Sequence, residues 1–172
     1  MKIVNKNWIL SNLKSSLQTS SSVSSTVKSI IEDIKKNGDK ALLKYVKKFE
    51  NSEATIKNIK LSKQDLKRAY NSISRQDKEA LKLAYKRIHY YHTKQRKTSY
   101  SYKDQLDTMF YVQWNPIDNV GLYIPGGMAS YPSTVLMTSI PAKIAKVSNV
   151  MLCVPSKNGI TSNLTLAAAY IC

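Results

Sequence analysis

The stretch VGLYIPGGMASYP, residues 120–132, runs from an apolar segment into Pro125-Gly126-Gly127 and then into a helix-like segment. A strand that ends in glycines ahead of a helix is how α/β proteins bring a ligand to the carboxyl end of a sheet. Glycines let the backbone approach a ligand closely, and a helix N-terminus favours anionic groups. The spacing is not G-x-G-x-x-G, nor does it end in the Gly-Lys-Ser/Thr of a phosphate-cradling loop. A tight structural turn is the alternative reading of the same residues.

Other reactive side chains are sparse. His89 and His92 stand at i, i+3, a spacing that can set two metal ligands on one helix face. They are the only histidines, and no Cys, Asp or Glu cluster accompanies them, so a helix-surface role is expected. Cys153 falls within an apolar run and reads as a small core residue, and Cys172 is the last residue. The two cysteines have neither metal spacing nor a disulfide framework. No Ser-His-Asp or Cys-His constellation can be assembled, so no catalytic and no metal-ligating residue is assigned.

The elements that must position these residues divide at about residue 98. Before it, apolar periodicity predicts helices. Val23, Val27, Ile30, Ile31 and Ile34 form one face, and Asn37-Gly38 supplies a stop. Asp39 then caps a second helix through Leu42, Leu43, Val46 and Phe49. Ser62 with Asp65 makes a capping box for a third, flanked by Leu61 and Leu66 at the staple positions. Ser74 with Asp77 opens a fourth, whose apolar face is Leu81, Ala84, Tyr85, Ile88 and Tyr91. Residues 11–25 are serine-rich and read as a loose connection.

Beyond residue 98, Met109–Trp114 reads as a short strand, and Val120–Ile124 and Val150–Val154 as continuous buried strands. Between the latter two lies a helix over 133–147, which Pro141 should kink or restart. Strand, crossover helix, strand is a βαβ unit, so those strands should be parallel neighbours. No carboxylate ends the second strand, where Ser156-Lys157 follows Pro155, so ribose readout by an acidic residue is not indicated. A last helix starts near Asn163 and runs apolar to Cys172 without a polar end, as though the sequence were the front part of a longer, truncated α/β protein. We therefore expect a helical region over 1–98 and the first, incomplete part of an α/β domain with one ligand-facing loop over 99–172.

The net charge of +16 is concentrated in the first hundred residues, which carry 23 of the 27 basic side chains and a net +15. A basic face for nucleic acid is one reading. Against it, only Arg68, Arg75, Arg87 and Arg96 are arginines, the residue that bidentate phosphate and base contacts prefer. The lysines are also scattered among apolar positions, as on a solvated helical surface. A basic helical nucleic-acid-binding module, or a non-catalytic assembly module, is the alternative function; no specific nucleic-acid partner is expected. With no long apolar span and no signal-peptide pattern, no membrane association and a cytoplasmic location are expected.

The combination of VGLYIPGG, YPSTVLM and IPAKIA within residues 120–155 closely resembles histidinol dehydrogenases. Upstream, IKKNGDKALLKYVKKFE (34–50) is similar to that family's N-terminal helix pair, and RIHYYHTKQ (87–95) to the helix leading into its sheet. The resemblance spans nearly the whole chain and covers the N-terminal part of the family's length. It implies an aldehyde-dehydrogenase-like, Rossmann-like fold, with residues 99–172 the first, incomplete part of an α/β NAD-binding domain. It also implies a homodimeric, zinc-dependent enzyme that oxidises L-histidinol to L-histidine with two NAD⁺ molecules, at the end of histidine biosynthesis. The zinc ligands and the acid–base pair are expected outside these residues, which leaves this chain inactive alone. The resemblance carries one NAD-binding position onto Tyr123, with Pro125, Gly126 and Gly127 shaping the same loop.

Overall fold

The computed structural model describes residues 21–50, 53–126, 130–156 and 159–172. The chain forms two compact units, Met1–Ile56 and Lys57–Cys172.

The first unit contains α1 (Ser21–Phe49), which breaks at Gly38, where φ is +54° and ψ −136°. Glycine lacks the Cβ that penalises positive φ, so Asn37-Gly38 ends one helix and lets the next begin, as expected from the sequence. Side-chain bonds across the break establish the reversal. Asp33 Oδ2 accepts from Lys44 Nζ at 3.0 Å and from Tyr45 Oη at 2.8 Å. In an uninterrupted helix residues eleven apart are separated by about 16 Å. The two halves therefore fold back toward each other. Helix also extends through 21–25, part of the segment read as a loose connection, while 11–20 lie outside the described residues.

The second unit holds α2 (Lys63–Ser72), α3 (Arg75–Gln95), β1 (Tyr100–Lys103), β2 (Met109–Val112), β3 (Asn119–Tyr123), α4 (Pro132–Ile144), β4 (Asn149–Cys153) and α5 (Asn163–Ile171). The capping box of α2 is present, with Asp65 N–H donating to Ser62 Oγ at 3.2 Å and Ser62 N–H to Asp65 Oδ2 at 2.8 Å. Asp77 N–H donates to Ser74 Oγ at 3.0 Å in the same way at the start of α3. α2 packs on α5, and α3 and α5 both pack on α4. Their shared core is Leu81, Ile124, Val135, Leu136, Ile140, Ala167 and Ala168, with Tyr85, Ile88 and Leu152 against it. Burying side chains the size of Ile124, Leu136 or Ile140 contributes roughly 1.5–3 kcal/mol each. Tyr91, expected on the apolar face of α3, is 60% exposed instead.

β3 and β4 pair in parallel, with Val120 opposite Val150 and Leu122 opposite Leu152, as a βαβ unit requires. Neither is buried throughout. Both alternate, with Val120, Leu122, Val150 and Leu152 half-buried toward the helices, and Gly121, Tyr123, Met151 and Cys153 exposed on the other face. An apolar run cannot by itself tell two covered faces from one, which is why the sequence over-assigned burial here. α4 likewise continues through Pro141 without restarting. Proline removes one N–H, whose acceptor four residues back belongs to Met137 on the exposed side, while Ala145 N–H still reaches the Pro141 carbonyl at 2.9 Å.

β1 and β2 form an antiparallel hairpin, and β1 was not anticipated. Its turn is built by Asp104, whose Oδ1 accepts from Leu106 N–H at 2.8 Å and Thr108 N–H at 2.9 Å. Among the described residues no helix is long and apolar enough to cross a membrane.

Candidate functional site

The carboxyl ends of β3 and β4 lie side by side, and the residues of the glycine loop that are described gather there. Tyr123 closes β3 with its side chain 67% exposed, and Ile124, one residue on, is fully buried. The pleat of the strand produces this division, because successive side chains leave on opposite faces. Ile124 anchors the strand end in the core, while its N–H donates to the Cys153 carbonyl at 2.9 Å, one rung beyond the strand. The phenol of Tyr123 is thus held at the sheet edge on an immobilised backbone. Pro125 and Gly126 continue at the surface, and Gly127 lies outside the described residues.

Gly126 has a steric reason to be glycine. A Cβ at this position would stand 2.7 Å from the Pro155 carbonyl oxygen and 3.3 Å from two atoms of the Pro155 ring. The loop leaving β3 therefore lies directly on the loop leaving β4. Sequence reasoning assigned Gly126 to the loop but did not find Pro155, because a contact between residues 29 positions apart leaves no local signal. Helix α4 follows with Pro132, which has no N–H to satisfy, at its first position, and the Thr134 N–H donates to the Tyr131 carbonyl at 3.1 Å.

Cys153 is exposed at the end of β4 and directly opposite Tyr123, not in the core. The expectation failed because the strand alternates. Cys172 is half-buried, and burial pushes its thiol up to about 11. It lines a small cleft with Tyr85, His89, Ile140, Lys143 and Ile144.

The two histidines are held by their own helix. His92 Nδ1 lies 2.7 Å from Gln95 Oε1, and His89 stacks on Tyr85 with ring centroids 5.7 Å apart. Among the described residues no group of three or more His, Cys, Asp or Glu side chains converges as a metal site would require. Zinc does not fit any set of residues described here. The exposed Tyr123 ring at the end of the sheet has the chemistry, an aromatic face with a polar tip, on which a flat, partly polar ligand would stack.

A family model described as histidinol dehydrogenase matches residues 13–172. A histidinol dehydrogenase of Neisseria meningitidis is 40% identical over 140 residues, covering 81% of this chain and 33% of that protein. One from Aromatoleum aromaticum is 42% identical over 139 residues, covering 80% and 32%. The crystal structure of histidinol dehydrogenase from Elizabethkingia anophelis superposes with a TM-score of 0.78 at 33% identity, over 87% of this chain and 34% of that one. The chain thus spans about a third of the length of the relatives it matches. With a family match over nearly its whole length and the same fold in a solved relative, this chain belongs to the histidinol dehydrogenase family.

Proposed function

We propose that this chain supplies the N-terminal, NAD-binding part of a histidinol dehydrogenase that oxidises L-histidinol to L-histidine. Tyr123, Pro125 and Gly126, continued by Gly127, form one wall of the dinucleotide site. The observation that carries this reading is the exposure of Tyr123 at the carboxyl end of a parallel strand, where α/β folds bind nucleotides. The ring offers an apolar face for stacking and the hydroxyl a polar tip. The cofactor contributes hydride acceptance when bound, and these residues bind and orient it.

Zinc, the acid–base groups and most of the L-histidinol contacts belong to chain beyond these residues, and the complete enzyme works as a cytoplasmic homodimer. The basic helices serve as a solvated surface, since their charge is dispersed lysine. Titrating NAD⁺ into isotopically labelled chain tests the assignment. Amide signals of Tyr123, Ile124 and Gly126 should shift on addition, and those of the β1–β2 hairpin should not. Saturable shifts confined to other parts of the second unit would remove the site from this loop.

A further inference from the structure

We infer that Pro155 is a positioning residue for the cofactor loop: the exit of β4 is the template against which the exit of β3 is set, through Gly126. The inference rests on the proposed nucleotide site for its functional meaning and on steric contact for its physical basis.

Two contacts join the strand exits. Ile124 N–H donates to the Cys153 carbonyl at 2.9 Å, which fixes the first residue past β3. Two residues further along each chain, the Gly126 Cα faces the Pro155 carbonyl and ring so closely that a methyl group would meet oxygen at 2.7 Å. Carbon and oxygen do not approach that closely without repulsion, so one of the two loops must move if a side chain is added. Neither is free to yield cheaply. Pro155 has φ fixed near −65° by its ring, which narrows the backbone adjustments open to the β4 exit. Gly126 follows Pro125, whose φ is fixed in the same way, and Ile124, fully buried. Between the buried Ile124 and the contact at Gly126, the loop is clamped at both ends.

The exposed side of this clamped segment carries Tyr123, whose backbone leads into Ile124. Displacing Gly126 by part of an ångström shifts the loop relative to the tyrosine ring. A bound dinucleotide, which touches both, would register the shift. Glycine at 126 is thus required by contact with Pro155, and not only by approach to a ligand. Proline at 155 acts on the cofactor through Gly126, without touching the cofactor itself.

A double-substitution cycle on this chain tests the inference, using G126A, P155G and G126A/P155G. The readouts are NAD⁺ affinity, hydrogen exchange of the Ile124 amide, and melting temperature. G126A should raise the NAD⁺ dissociation constant about tenfold and speed Ile124 exchange by a similar factor. P155G removes the ring atoms that a Cβ at 126 would meet at 3.3 Å and frees φ at 155 so that the β4 exit can move aside, so adding it to G126A should recover part of both losses. A melting temperature that falls equally in G126A and the double variant, with affinity and exchange recovered only in the double, separates positioning from general stability. If the double variant is no better than the sum of the single ones in exchange, Pro155 is not the template and the inference fails. Should the unsubstituted chain bind no NAD⁺, the cofactor reading falls by itself, and Ile124 exchange still decides the clamp.

Discussion

Tyr123 and Cys153 face each other across β3 and β4 as register partners, both exposed on the same side of the sheet. In a parallel pair, register partners project from the same face, so ring and thiol share one surface at the strand ends. The buried neighbour of Tyr123 is Ile124, so a one-residue slip would exchange a core anchor for a phenol. The placement of the tyrosine therefore follows from the hydrophobic pattern of the strand, not from the loop.

Removing the Tyr123 side chain should weaken NAD⁺ binding without unfolding the chain. Stacking and one hydrogen bond are each worth roughly 0.5–1.5 kcal/mol. Tyr123→Ala should thus raise the dissociation constant on the order of tenfold or somewhat more. Tyr123→Phe keeps the ring and should lose only about the hydrogen-bond share. With the ring already 67% exposed, neither change should move the melting temperature by more than about a degree or two. An unaltered dissociation constant in Tyr123→Ala would take the residue out of the site.

Cys153 and Cys172 should differ sharply toward thiol reagents. The first is exposed, and the second is half-buried with its thiol pushed from an ordinary 9.0 to about 11 by burial. At pH 8 that change alone lowers the thiolate fraction at Cys172 on the order of a hundredfold. Mass spectrometry of iodoacetamide-treated chain should find Cys153 labelled first, and saturating NAD⁺ should slow that labelling. Denaturant should bring the two rates together. Faster labelling of Cys172 in native protein would contradict the packing of α5 against α3 and α4.

Much of this arrangement is legible from local sequence, where a side chain and the backbone it bonds lie within a few residues. Ser62 and Asp65, Ser74 and Asp77, and the break at Gly38 all announce themselves in this way. The alternation of Tyr100 and Tyr102 with Ser101 and Lys103 was equally local, and β1 could have been read from it. What depends on distant partners is hidden. The open face of β3 and β4, the exposure of Cys153 and the contact of Gly126 with Pro155 are set by which helices cover the sheet. No window of ten residues encodes that. At Pro141 the helix does not restart, since a strong local rule yields when the orphaned carbonyl sits on an exposed helix face.

Acid should loosen both units at their carboxylate clasps. Hydrogen bonds from Asn37, Lys44 and Tyr45 hold the Asp33 carboxyl at about 2, well below its ordinary 3.8. Those from the Ser62 hydroxyl and backbone, with the Arg68 guanidinium, do the same for Asp65, also to about 2. A depressed folded-state value means that the unfolded chain binds more protons between these limits. The stabilisation is complete above about pH 4 and is lost as pH falls toward 2. Both groups are solvent-accessible, so added salt should reduce the ionic share. Thermal melts followed by circular dichroism at pH 6 and pH 3 should show a smaller drop for Asp33→Asn/Asp65→Asn than for the unsubstituted chain. An equal drop would assign acid sensitivity to other carboxylates.

Ser139 gives the cleanest test of the core. It lies on α4 among Val135, Leu136 and Ile140, is 2% exposed, and its hydroxyl has no hydrogen-bond partner among the described residues. Burying a hydroxyl without a partner costs about 1–3 kcal/mol, because its bonds to water are lost and nothing replaces them. Ser139→Ala removes that cost, leaves a gap no larger than one oxygen atom, and adds a few tenths of a kcal/mol of helix propensity. The small void works against the gain. The net should be stabilisation of about 1 kcal/mol, seen as a higher urea midpoint at unchanged slope. Ser139→Val instead adds branched bulk to a helix already packed on α3 and α5, and should destabilise by about 1–3 kcal/mol. Loss of stability in Ser139→Ala would mean that the hydroxyl is bonded in solution, as a serine inside a helix can be to the carbonyl one turn back.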